Sequence, residues 1–345
     1  MNLVSARLLN QQLVCPQFVE PHEAVRWMGA MQAQDYRMMR WAVGMRTRKP
    51  SANAFAQDYD SGRIVRVHLF RTTWQLVAGE DWGWMLDLYR EKALRLLAGW
   101  MKGNGVDISP AEQEAVQTVF SDHLSAVRIA RKEDFDAALK DKGLVMDSHR
   151  LSYHLHMAEY AGLLCSGDLL PAKHSYALAA EKLPKPSPLP REEALARLAR
   201  KYFRSHGPAT TEDFVWWSGL NVRDCRTGME ALGAELVRQR WKDLTLYSHE
   251  SSRSRGYRRG GVILLPSFDE YLIGYKSRHL VLAQEHRHRA HNDTGIFWPV
   301  VLLDGKVVGN WSAKEQNVQT DYFSPDTEVE ENALRKEVRR YLQFA

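Results

Sequence analysis

The chain has 345 residues, of which 44% are hydrophobic and 26% charged, with 11 Trp; that is enough apolar material for a sizeable core and excludes a disordered or fibrous chain. The length suggests two or three domains, and no run of about 20 apolar residues is present to span a bilayer. A net charge of +5 permits a polyanionic partner without demanding one, and the three distant cysteines (Cys15, Cys165, Cys225) read as reduced thiols rather than a disulfide framework or zinc site. The opening MNLVSARLLNQQLV lacks the apolar stretch and cleavage site of a signal peptide, so a cytoplasmic location is expected.

Leu3, Leu8, Leu9 and Leu13 recur at helical intervals and predict a first helix. Pro21 opens a second, running through Ala24, Val25, Trp27, Met28 and Met31, and helical character resumes at 37–45 and 51–60. In RIVRVHLFRTTWQLV the β-formers Ile64, Val65, Val67, Leu69, Thr72, Thr73 and Val77 predict two strands meeting near 69–71. Asp81 is expected to cap the long helix WGWMLDLYREKALRLLAGW. Helices followed by a β-ribbon outline a winged-helix unit, and the same element order returns at 110–170 and 191–250 without sequence identity between copies. The third copy reads most clearly: Thr211 as N-cap, a turn at Ser218 and Gly219, then a second helix, the grammar of helix-turn-helix.

Between the second and third copies, EKLPKPSPLP holds four prolines and reads as a linker. The chain then changes character at GVILLPSFDEYLIGY. Asp304-Gly305 between VVLL and KVVG is the strongest hairpin signal in the sequence, and EENALRKEVRRYLQF predicts a closing helix. The expected class is α+β, with winged-helix units at 1–108, 109–183 and 191–261 and a mostly β module at 262–345.

Several residue groups invite chemical readings. ESSRSRGYRRGG places Arg253, Arg255, Arg258 and Arg259 around Tyr257; guanidinium forks suit phosphates and a tyrosine can stack or wedge, whereas the plainer reading is a solvated hairpin tip. His286, His288 and His291 invite a metal, but their charged, loop-like setting favours a solvated loop. His149, His154 and His156 fall on a predicted helix, where surface or capping roles fit better than a metal. Trp82, Trp84, Trp216 and Trp217 read as core.

Five blocks in order, MGAMQAQDYRMMRWAVGMRTR, RTTWQLVAGEDWGWML, HGPATTEDFVWWSGL, LLPSFDEYLIGYKSRHLVL and GIFWPVVLLDGKVVGNW, resemble the AlkZ-type tandem winged-helix DNA glycosylases across nearly the whole chain. The resemblance implies three winged-helix units in a C-shaped arrangement, a C-terminal β module, and excision of alkylated purines, in some members including interstrand crosslinks. It also implies a catalytic Gln-apolar-Gln element, which here is Gln32-Ala33-Gln34. The sequence departs from the family at Thr73-Trp74-Gln75, where a His commonly follows Thr-Leu.

Two amides cannot deprotonate water, but an N7- or N3-alkylated purine is cationic and already a good leaving group. Its site has mainly to hold a water at the anomeric carbon and stabilise an oxocarbenium-like state by position and dipoles. On a regular helix Gln32 and Gln34 would stand about 200° apart, so they converge only if the helix ends or bends there. The plainer reading makes both polar helix-end residues. Asp269 and Glu270 begin the β module: in a strand they face opposite sides, Asp269 being the candidate to stabilise the sugar cation, or else to pair with Lys276 or Arg278. The expectation is therefore a cytosolic, monomeric, cofactor- and metal-independent, monofunctional glycosylase acting on double-stranded DNA, no lysine standing beside the triplet in the sequence to serve as amine nucleophile. The competing reading is a non-catalytic winged-helix DNA-binding protein or transcriptional regulator.

Overall fold

The structure is a computed structural model and describes residues 2–257 and 259–344, so Arg258 of the arginine-rich run lies outside the described residues. The chain divides into two compact units, one formed by Met1–Phe55 with Leu195–Ala345 and the other by Ala56–Ala194. Helix α1 (Leu3–Asn10) starts at Asn2, whose side-chain oxygen accepts the Val4 and Ser5 N–H groups. Helix α2 (Pro21–Met28) stops before the predicted Met31. Gly29 takes φ +84, a conformation that ends helices, and the chain continues as strand β1 (Ala30–Gln32). Helices α3 (Met38–Gly44) and α4 (Ala52–Asp60) follow close to their expected places.

In the second unit, β2 (Ile64–His68) and β3 (Trp74–Ala78) form the expected antiparallel hairpin, with Arg71 and Thr72 at φ 57 and 56 in its turn. Helix α5 (Gly79–Gly103) begins ahead of Asp81. Ala78 holds the cap position, and Asp81 instead accepts the Trp84 indole N–H at 3.0 Å. Helices α6 (Pro110–Val127), α7 (Lys132–Asp141) and α8 (Ser148–Ala161) then lead to the hairpin β4 (Leu164–Ser166) and β5 (Tyr176–Leu178) and to α9 (Ala179–Lys182). Phe120, Phe135, Leu151, Leu155 and Leu164 bury together as the core beneath this hairpin. The proline stretch is laid on α5 and does not hang free: a Cβ at Gly83 would stand 2.7 Å from Pro186 Cβ.

Helix α10 (Arg191–Ser205) precedes α11 (Thr211–Ser218), α12 (Val222–Glu230) and the hairpin β6 (Leu236–Trp241) with β7 (Leu244–His249). The cap of α11 is Thr210, one residue before the expected Thr211. Its hydroxyl accepts Asp213 N–H and the Asp213 carboxylate accepts Thr210 N–H, each at 3.0 Å. Gly219 at φ 64 ends that helix and Asn221 caps the next.

The C-terminal module contains β8 (Val262–Leu265), α13 (Glu270–Ile273), α14 (Arg287–Ala290), β9 (Val300–Leu303), β10 (Lys306–Lys314), β11 (Asn317–Tyr322) and α15 (Glu331–Phe344). Its antiparallel sheet runs in the order β11-β10-β9-β8. Asp304 and Gly305 have φ 50 and 77, the two positive values that a tight hairpin of matching twist requires. The sheet shares one core with Leu8, Trp41 and Phe344, so the N-terminal helices and the C-terminal module fold as one body although they lie at opposite ends of the sequence.

Candidate active site

The triplet stands at a strand end. Gln32 closes β1 and is buried, while Gln34 lies in the following bend and is exposed. Asp35 holds the bend: one carboxylate oxygen accepts the Arg37 and Met38 N–H groups at 3.0 Å each, and the other accepts the Ser267 hydroxyl at 2.7 Å. On the other side of the triplet, the Gln32 N–H donates to Glu270 Oε1 at 2.7 Å. The 267–270 segment thus grips the glutamines at both ends. Between its two contact points Phe268 sits at φ 56, a left-handed conformation that a bulky side chain adopts only when its surroundings hold it there.

Glu270 is 1% exposed, and its second oxygen accepts the Trp217 indole N–H at 3.0 Å and the His206 Nε2–H at 3.2 Å. Burial holds His206 below its ordinary pKa against the opposing pull of Glu270. A neutral ring that donates from Nε2 then accepts at Nδ1, where the Ser205 hydroxyl lies 2.8 Å away. Tyr202 stacks on His206 with centroids 4.7 Å apart, and the Tyr275 hydroxyl donates to the His206 carbonyl at 2.7 Å. Burial pushes Tyr275 up to about 12, so it remains a donor at neutral pH. These partners make a polar framework that is fully enclosed beneath the triplet.

Asp269 does not face the glutamines, which corrects the expectation placed on it. Its carboxylate is bridged by Arg46, with Nη1 to Oδ2 and Nη2 to Oδ1 at 2.8 Å each, and it caps α13 by accepting Tyr271 N–H at 2.9 Å. Arg46 also donates to the Ala42 carbonyl and to Gln11 Oε1. The anticipated partner Arg278 donates instead to the Leu272 and Lys276 carbonyls. The acid against the triplet is Glu270. Sequence reasoning assigned the pair to a strand; the signal available was an Asp followed by a Glu at a helix start, where the first caps and the second turns inward.

The arginine run divides. Arg253 is tied to the protein, its N–H to Asn10 Oδ1 at 2.7 Å and its guanidinium to the Cys15 carbonyl at 3.0 Å. Tyr257 donates its hydroxyl to Asp304 Oδ1 at 2.5 Å, and burial together with that carboxylate pushes its pKa up, so its hydroxyl is held by the protein. Arg255 and Arg259 are exposed. Arg238 and Arg240, for which the sequence carries no comparable arginine run, are exposed on alternate positions of β6 and therefore share one face of the hairpin.

His291 is buried and stacks on Phe297 at 4.9 Å, and α14 replaces the loop expected around His286 and His288. Trp217 is buried as expected; Trp216 is 39% exposed. In the second unit, His149 is exposed and His154 contacts Glu112 at 3.0 Å. His156 Nε2 lies 3.2 Å from His68 Nε2, and His68 Nδ1 lies 2.5 Å from Glu159 Oε2. Burial holds His68 down to about 3 and His156 to about 4, and pushes Glu159 up to about 8. The three could converge on a cation. The Arg66 guanidinium, stacked 3.8 Å over Trp74, adds a positive charge that lowers His68 further and opposes one.

A family model described as DNA glycosylase AlkZ-like matches residues 25–344, and the chain belongs to that family of DNA glycosylases. Among its relatives is an interstrand DNA cross-link repair glycosylase of Streptomyces sahachiroi, 27% identical over 336 residues that cover 90% of this chain and 88% of the relative. The solved structure of Streptomyces sahachiroi DNA glycosylase AlkZ shares the fold, with a TM-score of 0.80 at 24% identity over 99% of this chain and 96% of that one. Among the described residues, no helix is long and apolar enough to cross a membrane.

Proposed function

We propose that the protein is a monofunctional glycosylase that hydrolyses the N-glycosidic bond of cationic N7- or N3-alkylated purines in duplex DNA, built on three winged-helix units. Gln32 and Gln34 position the attacking water, whose O–H groups donate to the amide carbonyls. The water oxygen bonds to the anomeric carbon as the glycosidic bond breaks, and the bonding pair leaves with the purine and neutralises its charge. The surplus proton passes to solvent, to which Gln34 is open. The product is an abasic site in an uncut strand. Exposed Arg255 and Arg259, with Arg238 and Arg240 on β6, supply cations for the phosphate backbone. Interstrand crosslinks belong to the proposed substrate range because the Streptomyces relative bears that activity in its name.

The observation that best supports this reading is the fixing of the triplet from both sides, by Glu270 at Gln32 and by Ser267 through Asp35. The test is single-turnover release of N7-methylguanine from a duplex, read as alkali-labile strand breaks. Gln34→Ala, and less severely Gln32→Ala, should slow release by roughly 100-fold with duplex affinity nearly unchanged, the loss expected when an oriented polar group is removed. If both variants excise at the wild-type rate, the catalytic assignment fails. A wild-type protein that shifts the duplex without releasing base would mark a non-catalytic DNA-binding protein.

A further inference from the structure

We propose that Glu270 is the positioning residue for the glutamine triplet, acting on the chemistry through the backbone of Gln32; the proposal rests on the glycosylase reading above. A carboxylate that is 1% exposed is costly unless its oxygens are bonded, and here three N–H donors from separate parts of the chain meet them. One donor is the Gln32 peptide itself at the end of β1; the others are His206, just past α10, and the Trp217 indole on α11. The carboxylate is therefore the joint at which the strand bearing the triplet is fastened to the helical layer behind it. The far end of Glu270's own helix makes room for it: a Cβ at Gly274, the residue after α13, would lie 2.9 Å from His206 Cδ2 and 3.0 Å from Glu270 Oε2. Directly ahead, the left-handed Phe268 aims the segment so that Asp269 turns to Arg46 and Glu270 to Gln32.

Two amides that only hold a water depend on position alone, and a misplacement of about 1 Å costs roughly 100-fold in rate. Glu270→Gln keeps the volume but turns an NH2 group toward an N–H donor, so one of the three bonds becomes a repulsion and the Gln32 peptide loses its anchor. The expected result is excision slowed by about 100-fold with duplex Kd within about twofold of wild type. Because the residue acts through the triplet, Glu270→Gln combined with Gln34→Ala should be no slower than Gln34→Ala alone.

The same variant is read by amide hydrogen exchange, which does not depend on activity. Exchange across 30–34 should rise while α15 stays protected. A Glu270→Gln variant with wild-type excision and exchange overturns the proposal, as do rate losses that multiply in the double variant. Should wild type release no base, the glycosylase reading falls, while faster exchange at 30–34 in the variant still upholds the positioning and unchanged exchange overturns it. If Glu270→Gln does not fold, Glu270→Asp keeps the charge, shortens the reach and is read by the same measurements.

Discussion

Asp269→Asn removes a charge while keeping a shape, and the structure sets how much that should matter. The Arg46 and Asp269 side chains are 0% and 1% exposed and joined by two bonds of 2.8 Å. Deleting one charge of such a pair strands the other, at about 3–5 kcal/mol. Three compensations put the expectation at the lower end. The asparagine oxygen can keep one bond to the guanidinium and the cap on Tyr271 N–H, and Arg46 retains the Ala42 carbonyl at 2.7 Å and Gln11 Oε1 at 3.1 Å. A loss of about 3 kcal/mol corresponds to a melting temperature lowered by roughly 6–12 °C for a unit of this size. The assay pairs a thermal melt with single-turnover excision well below both transitions, where the folded variant should release base at a near-normal rate. Arg46→Met combined with Asp269→Leu leaves no stranded charge and should cost less than the sum of the single losses. A melt within about 2 °C of wild type would refute the structural assignment, and slow excision at that unchanged stability would return Asp269 to the chemistry.

Neutralising Arg255 and Arg259 together should reduce the log–log salt slope of duplex binding by about 0.9 for each phosphate deprived of its cation, uniformly across sequences, and an unchanged slope would show that the run does not touch DNA. Arg253→Gln should instead lower stability and leave the slope nearly intact, because its guanidinium holds the Cys15 carbonyl. In the second unit, His68 and His156 have folded pKa values below the unfolded one, so their contribution is present above about pH 6.5 and lost as pH falls; Glu159, raised to about 8, works in the opposite sense between about 4.5 and 8. One histidine is thus offset and one is not between pH 6.5 and 4.5. The stability advantage of wild type over His156→Gln should shrink by about 1.4 kcal/mol per pH unit there, as followed by urea unfolding. A pH-independent difference would refute it.

Short-range chemistry was legible wherever a local rule is decisive. Asp304-Gly305 specified its hairpin because few other residues accept two positive φ values in succession. The turn at Gly219, the closing helix α15 and the paired strands β2 and β3 were read from caps, turn residues and periodicity. The triplet itself was visible, as was the family, because a motif and its flanking blocks are linear properties of the chain. Competing local signals misplaced boundaries by a few residues: apolar periodicity ran through Gly29 to Met31, yet the positive φ of Gly29 ended the helix at Met28, leaving Gln32 at the end of a strand and Gln34 in the bend beyond it.

What tertiary structure alone decided is which charge meets which. Asp269 and Glu270 are adjacent and chemically alike, and their fates are set by Arg46 and Gln32, partners more than 200 residues away in sequence. Likewise, nothing around His206 or Trp217 in the sequence announces a carboxylate 64 or 53 residues further on. A buried ion finds its partner through the packing of whole elements, and burial makes that pairing obligatory because an unpaired charge there would cost more than the fold can spare. Periodicity says which face of an element is covered, but only the docking of β1 and α11 against the start of α13 determines that the covering group at Gln32 is a carboxylate.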